Sequence, residues 1–180
     1  MRILQTRYRY WPSRFSRIAR AIYAPIVASD EIYSLIRLFP DYADTVIWFI
    51  VGPLSYEESG VSKTLRQDME AWESHYYEAM ATDLTWRSRE DQDYHAEEGR
   101  RLAKRLSVEV GRAFEVEYFD QRDLKLRVRS DKPATNEAAE TAFTRVGAWH
   151  RSLFERIERE AEAGASFGWF ASRANDEAEH

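Results

Sequence analysis

A chain of 180 residues with 44% hydrophobic content has enough apolar mass for one domain plus short arms, which excludes a globally disordered polymer. The absence of cysteine excludes disulfides and thiolate metal centres and fits a reducing, cytoplasmic setting. The formal charge of −5 is unevenly spread: residues 1–29 hold six arginines and no acid, and the remaining 20 basic and 31 acidic residues leave −11 on the rest, which argues against a general nucleic-acid binder.

In residues 1–11, Arg7 and Arg9 alternate with Tyr8 and Tyr10 as in an edge strand, and Pro12 ends the run. Ser13 caps a predicted helix to about Ala24. Phe15, Ile18, Ala19 and Ile22 share one face of it, and Arg14, Arg17 and Arg20 the other. The ordinary use of such a helix is to lay its apolar side on the domain. The alternatives are contact with nucleic acid or an acidic membrane surface through residues 1–29, or an organellar presequence. Residues 30–39 read as a second short helix, with Ile32, Leu35, Ile36 and Phe39 as its stripe and Pro40 as its stop. The six apolar residues from Val46 to Val51, ended by Gly52-Pro53, read as a strand covered on both faces and therefore inside a sheet. They are far too few for a bilayer span of about 20 residues.

Ser62 opens the best-defined helix, with Leu65, Met69, Trp72, Tyr76, Ala79 and Met80 on one stripe and His75 off it, toward solvent. Residues 81–93 read as a loop. The next helix runs from about Asp93 to Val110 and stops at Gly111, with His95, Gly99, Leu102, Ala103, Leu106 and Val110 on its stripe. A mid-helix glycine costs about 1 kcal/mol relative to alanine, so Gly99 predicts another element crossing closely. Phe114, Val116 and Tyr118 alternate with Glu115 and Glu117; Leu124, Leu126 and Val128 alternate with Lys125, Arg127 and Arg129. This predicts a hairpin with Tyr118 opposite Leu124 or Leu126 and acids opposite bases on the outer face. Asp131 to Thr135 opens the last helix, to about Ala163, with Ala139, Ala142, Phe143, Val146, Trp149, Leu153, Phe154 and Ile157 on its stripe. Beyond Gly164, Phe167, Trp169 and Phe170 stand among small residues and are expected to dock on the domain or on a partner.

The phosphate-loop, nucleophile-elbow and zincin motifs are missing, so no catalytic residue, metal-ligand set or cofactor is assigned. His95 and His150 lie on apolar stripes near Asp91, Asp93, Glu97 and Glu98, which keeps a small metal-dependent hydrolase as an alternative. A nuclease variant would use Glu115 or Glu117 with Asp123-Leu-Lys125, although that spacing is short and Asp123 reads as a turn residue.

The series Leu65, Trp72, Tyr76, then His95-Ala-Glu-Glu-Gly99-Arg-Arg-Leu102-Ala103, Leu106, Gly111 and Val116-Glu117-Tyr118 resembles small uncharacterised actinobacterial proteins over residues 45–119. Some of these are immunity- or antitoxin-like. His95 stands where they carry an aromatic residue, which implies a packing role, and the resemblance implies no catalytic residues. The expected fold is α+β: a small, mainly antiparallel sheet of three or four strands with three main helices packed on it. A basic arm (1–29), a domain (30–164) and an aromatic then polar tail (165–180) divide the chain. The expected function is non-enzymatic binding of a protein partner, a basic one in the simplest electrostatic reading, by an acidic surface. Phe167, Trp169, Phe170, Arg14, Arg17 and Arg20 are the expected contact residues. The remaining alternative is a structural subunit, homo-oligomeric or mixed, that uses both ends as hooks.

Overall fold

Leu35–Leu38 forms a strand, β1, instead of part of the helix that the spacing of Ile32, Leu35, Ile36 and Phe39 suggests. Only one 3-10 turn, Asp30–Tyr33, precedes it, closed by Ser34 N–H donating to the Glu31 carbonyl at 3.0 Å. A ten-residue helix is marginal alone. As a strand the same four residues are all buried and gain a ladder on each side. The computed structural model describes residues 30–83, 85–120 and 124–162. The basic arm and the aromatic tail lie outside the described residues.

Strand β2 (Ile47–Phe49) runs antiparallel to β1, with Ile36 opposite Phe49, and β3 (Gly52–Pro53) pairs antiparallel with β2. The run Val46–Val51 is therefore not one central strand. The chain reverses at Ile50-Val51, and Ile50 adopts a left-handed φ of 59°. That conformation costs a non-glycine residue about 1–2 kcal/mol. Full burial of the Ile50 side chain offsets it, being worth roughly 1.5–3 kcal/mol. β4 (Glu115–Asp120) pairs parallel with β1, Leu38 opposite Tyr118. β5 (Leu124–Arg129) closes the expected hairpin with Tyr118 opposite Leu126 and Glu117 opposite Arg127. The described residues thus hold a five-stranded sheet in the order β3-β2-β1-β4-β5. It is mixed and larger than the expected antiparallel sheet of three or four strands, because β1 supplies a parallel partner that helical periodicity concealed.

Four helices follow: α1 (Tyr56–Ser59), α2 (Lys63–Ala79), α3 (Arg89–Val110) and α4 (Glu137–Glu162). Ser62 Oγ accepts from Leu65 N–H at 3.2 Å and starts α2 as expected. α3 begins before Asp93 because Ser88 caps it: Ser88 Oγ accepts from Asp91 N–H at 3.0 Å and donates to Asp91 Oδ2 at 2.7 Å. Asn136 caps α4, and its Nδ2 donates to the Gly60 carbonyl and to Glu109 Oε2. Glu109 also accepts from Ser62 N–H, so one carboxylate ties the starts of α2 and α4 to the end of α3. No helix among the described residues is long and apolar enough to cross a membrane.

One face of the sheet carries Ile36, Leu38, Ile47, Phe49, Val116 and Tyr118, which share a core with Met69, Trp72, Leu102, Leu106 and Phe143 of the helices. The Tyr118 ring passes so close to α3 that a Cβ on Gly99 would lie 2.5 Å from its Cζ, which accounts for the mid-helix glycine. The other face carries the buried pair Arg37 and Glu117. Glu117 meets Arg37 Nε at 3.4 Å, Lys125 Nζ at 2.7 Å and Arg127 Nε at 2.9 Å. Arg127 continues the network to Glu31 and Glu115. Burial alone would raise the Glu117 carboxyl, but the hydrogen bonds from Lys125 and Arg127 outweigh it and leave it below its ordinary 4.5.

Two outcomes follow from this packing. Gly99→Ala is expected to cost about 1–3 kcal/mol in a urea titration despite the better helix propensity of alanine. The cost should shrink in a Tyr118→Leu background, and an equal cost in both would locate the loss elsewhere. Glu117→Gln is expected to cost about 3 kcal/mol at pH 7, against less than about 1 kcal/mol for Arg89→Ala in the exposed Arg89–Asp93 pair. Since the Glu117 carboxyl sits below 4.5 when folded, its contribution is present above that value and lost as pH falls through the folded value. Stabilities of wild type and variant should therefore converge in acid.

Candidate functional site

The turn from β1 to β2 holds Asp41, Tyr42, Ala43 and Asp44. Tyr42 has a left-handed φ of 41° and is 83% exposed. Its backbone N–H donates to Tyr77 Oη at 2.7 Å, and the two rings lie 5.4 Å apart. Tyr77 belongs to α2, where Glu70, Glu73 and Tyr77 recur at helical spacing on one side of the buried stripe. The turn and the helix face each other across an open groove of about 630 Å³, lined by Tyr42, Asp44, Tyr56, Glu70, Glu73 and Tyr77 among others. Tyr56 is buried, and its Oη accepts from Val46 N–H at 3.4 Å.

The cation of the groove is already committed. Arg66 Nε meets Glu70 Oε1 at 2.7 Å, its guanidinium also bonds Glu57, and its Cζ lies 5.3 Å from the centre of the Tyr56 ring. Asp41, Asp44 and Glu73 have no ion-pair partner among the described residues, and Glu73 Oε1 is buried with no hydrogen-bond partner there. Burial pushes the Glu73 carboxyl up, and the Asp44 and Glu70 charges push it further. Burial raises Asp41 as well. The Tyr77 hydroxyl is raised by burial; the Tyr42 backbone hydrogen bond opposes this, and the Glu73 and Asp41 charges add to it. Carboxylates so placed are suited to exchanging water for ammonium or guanidinium groups, with two tyrosines as amphipathic anchors. Ser74, the hydroxyl of the groove that a nucleophile would need, donates to the Glu70 backbone carbonyl at 2.9 Å.

His95 and His150 are not brought together, whereas the rings of His75 and His95 stack with their centres 6.2 Å apart. His95 is buried, with its ring stacked on Trp72 at 4.4 Å and 13°, and with Tyr76 and Trp86 rings within 5.3 Å. The Trp72 indole N–H donates to the His95 carbonyl at 2.9 Å. His95 is thus a packing residue between α2 and α3, as its place on the stripe implied. His150 sits on α4 against Trp149 and Phe154, and its Nδ1 lies 3.0 Å from the Val146 carbonyl. Burial lowers its pKa. His75 is not turned out to solvent as its position off the stripe suggested. It is wedged between helices, 4.6 Å from the Tyr94 ring and 3.5 Å from Asp91 Oδ1. Among the described residues no group of three or more histidines and carboxylates is arranged to hold a metal. The nuclease pattern does not assemble either: Glu117 is taken up by Arg37, Lys125 and Arg127, and Asp123 lies outside the described residues.

The six expected contact residues Arg14, Arg17, Arg20, Phe167, Trp169 and Phe170 also lie outside the described residues. The groove residues were not singled out from the sequence. One signal was available: Glu70, Glu73 and Tyr77 fall on a single helix face whose carboxylates outnumber its one arginine. The turn that faces them falls between a helix-like pattern ending at Pro40 and the apolar run from Val46, and neither pattern encodes its approach to α2.

A carboxyl raised by burial favours the folded state below its ordinary value and loses that contribution as pH rises through the folded value. At neutral pH the Glu73 and Asp41 charges therefore count against folding. Glu73→Gln is expected to raise the unfolding free energy at pH 7 by of the order of 0.5 kcal/mol, with the gain vanishing toward pH 4, as read by thermal melts across that range. A loss of stability at pH 7 would show that the carboxylate is compensated after all.

No curated protein sequence matches the chain. Residues 34–121, which run from β1 through β4 and contain every groove residue, match the model of a family described as Serratia CdiI immunity protein-like.

Proposed function

We propose that this is an immunity-like protein that binds and neutralises a protein toxin, and that the groove between Tyr42 and Tyr77 receives a basic element of that partner. The observation that carries this reading is the set of three carboxylates, Asp41, Asp44 and Glu73, left without ion pairs among the described residues, of which burial raises Asp41 and Glu73 so that their charges oppose folding at neutral pH. Self-stabilisation gives no reason to keep them, whereas an incoming cation does. An arginine or lysine entering the groove would relieve the Glu73, Asp44 and Glu70 repulsion and lower the raised carboxyls. Binding would then release protons and strengthen as pH rises toward the raised value of the free carboxyls. The −11 balance beyond the arm would speed encounter with a basic partner. Exposed Tyr42 and Tyr77 have the side-chain type that anchors interfaces. All of these groups fall inside the segment similar to immunity proteins.

The test is capture from native lysate at low and high salt, with the captured polypeptide then expressed alone and together with the chain. The polypeptide alone should arrest growth, and co-expression should restore it. Asp44→Lys with Glu73→Lys should weaken binding at least ~100-fold and abolish protection, because like charges at an interface cost several kcal/mol. Binding that is indifferent to salt and to both reversals, or a captured polypeptide that does not arrest growth, would remove the proposal.

A further inference from the structure

The apolar stripe of α4 outlasts its cover. Ala139, Ala142, Phe143 and His150 are buried, yet Trp149 is 54% and Ile157 38% exposed, and Leu153 and Phe154 are only half-buried. Trp149, Leu153 and Ile157 recur every four residues, so they form one continuous strip along the helix. Nothing among the described residues lies over it. The described chain begins beside this strip: Tyr33 contacts Phe154 with ring centres 6.5 Å apart, and the Arg151 guanidinium lies 4.2 Å from the centre of the Tyr33 ring. Tyr33, close to the start of the described residues, therefore lies next to the uncovered half of α4.

We propose that residues 13–24 cover this strip, with Phe15, Ile18 and Ile22 set against Trp149, Leu153 and Ile157. The lengths agree. Twelve helical residues span about 18 Å, the strip from Trp149 to Ile157 spans about 12 Å, and five linking residues reach about 17 Å when extended. Over longer range, an arm with six arginines and no acid is drawn toward a body of net −11. Arg14, Arg17 and Arg20, on the opposite helical face, would then form a basic strip directed away from α4. The apolar face would be used within the chain and would not serve as a membrane anchor.

The chain has no cysteine, so introduced pairs can be read without interference. In the full-length protein, Ile18→Cys or Ile22→Cys paired with Leu153→Cys should give an intrachain disulfide under mild oxidation. It should form at least about tenfold faster than Arg17→Cys paired with Leu153→Cys, because the apolar positions hold the thiol at high effective concentration. Melting curves of the reduced variants would confirm that each is folded. Equal rates for the apolar and polar positions would overturn the proposal. So would faster pairing of Leu153→Cys with Gly168→Cys, which would assign the strip to the tail, or disulfides forming mainly between chains, which would assign it to a second copy. None of these outcomes bears on the toxin-binding groove, which lies on α2 and the β1–β2 turn.

Discussion

The parallel pairing of β1 with β4 is the constraint on which the domain depends. It joins Leu35–Leu38 to residues 115–118 and so makes one sheet of two antiparallel halves, β3-β2-β1 and β4-β5. A parallel neighbour requires a crossover, and α1, α2 and α3 occupy the interval between them. Backbone hydrogen bonding alone would not fix the register on the exposed side. The buried Arg37–Glu117 pair does, since a slip of one residue would put Arg37 into the core and Ile36 outside. The other consequence of β1 is positional. By ending at Leu38 it delivers the Asp41–Asp44 turn to the side of α2.

The molecule treats its carboxylates in two opposite ways. Glu117 is buried beneath three cations and held below its ordinary pKa, so its charge supports the fold at neutral pH. Glu73 and Asp41 are partly buried without cations and held above theirs, so their charges oppose it. The contrast lies in geometry, since both sets are ordinary acidic residues in an acidic chain. On a strand, alternation and cross-strand pairing set a base opposite each acid. In the groove the only arginine is already engaged by Glu70 and Glu57, and the remaining acids face a turn that brings more acid. The stability cost of Glu73 is located in an open concavity rimmed by tyrosines.

The cores of α2 and α3 show how an apolar stripe can absorb a polar residue. His95 spends its ring on the Trp72 face, while its carbonyl accepts the Trp72 indole hydrogen. Gly99, one turn on, admits Tyr118 from the sheet, and Trp72 meets that ring edge-on at 5.8 Å. Histidine, tryptophan, glycine and tyrosine from three elements thus form one packed unit. The tempting metal ligand in the sequence is a member of that unit, and its companion His150 belongs to a different contact set on α4.

The sequence by itself determined the elements whose periodicity is long and whose caps are local. α2, α3 and α4, the β4–β5 hairpin with its register, and the close crossing at Gly99 were all legible, because each depends on residues within a few positions or on a glycine with a definite steric meaning. The immunity-like resemblance was legible too, through packing motifs. What the tertiary structure decided were the non-local facts. Four apolar residues at 35–38 satisfy helix and strand spacing equally, and only partners drawn from 47–49 and 115–118 make them a central strand. Six apolar residues at 46–51 look like one strand until the burial of Ile50 holds a turn there. The groove is a meeting of a turn with a helix face some thirty residues further along. No pattern along the chain encodes that meeting, because it follows from where β1 places its own end.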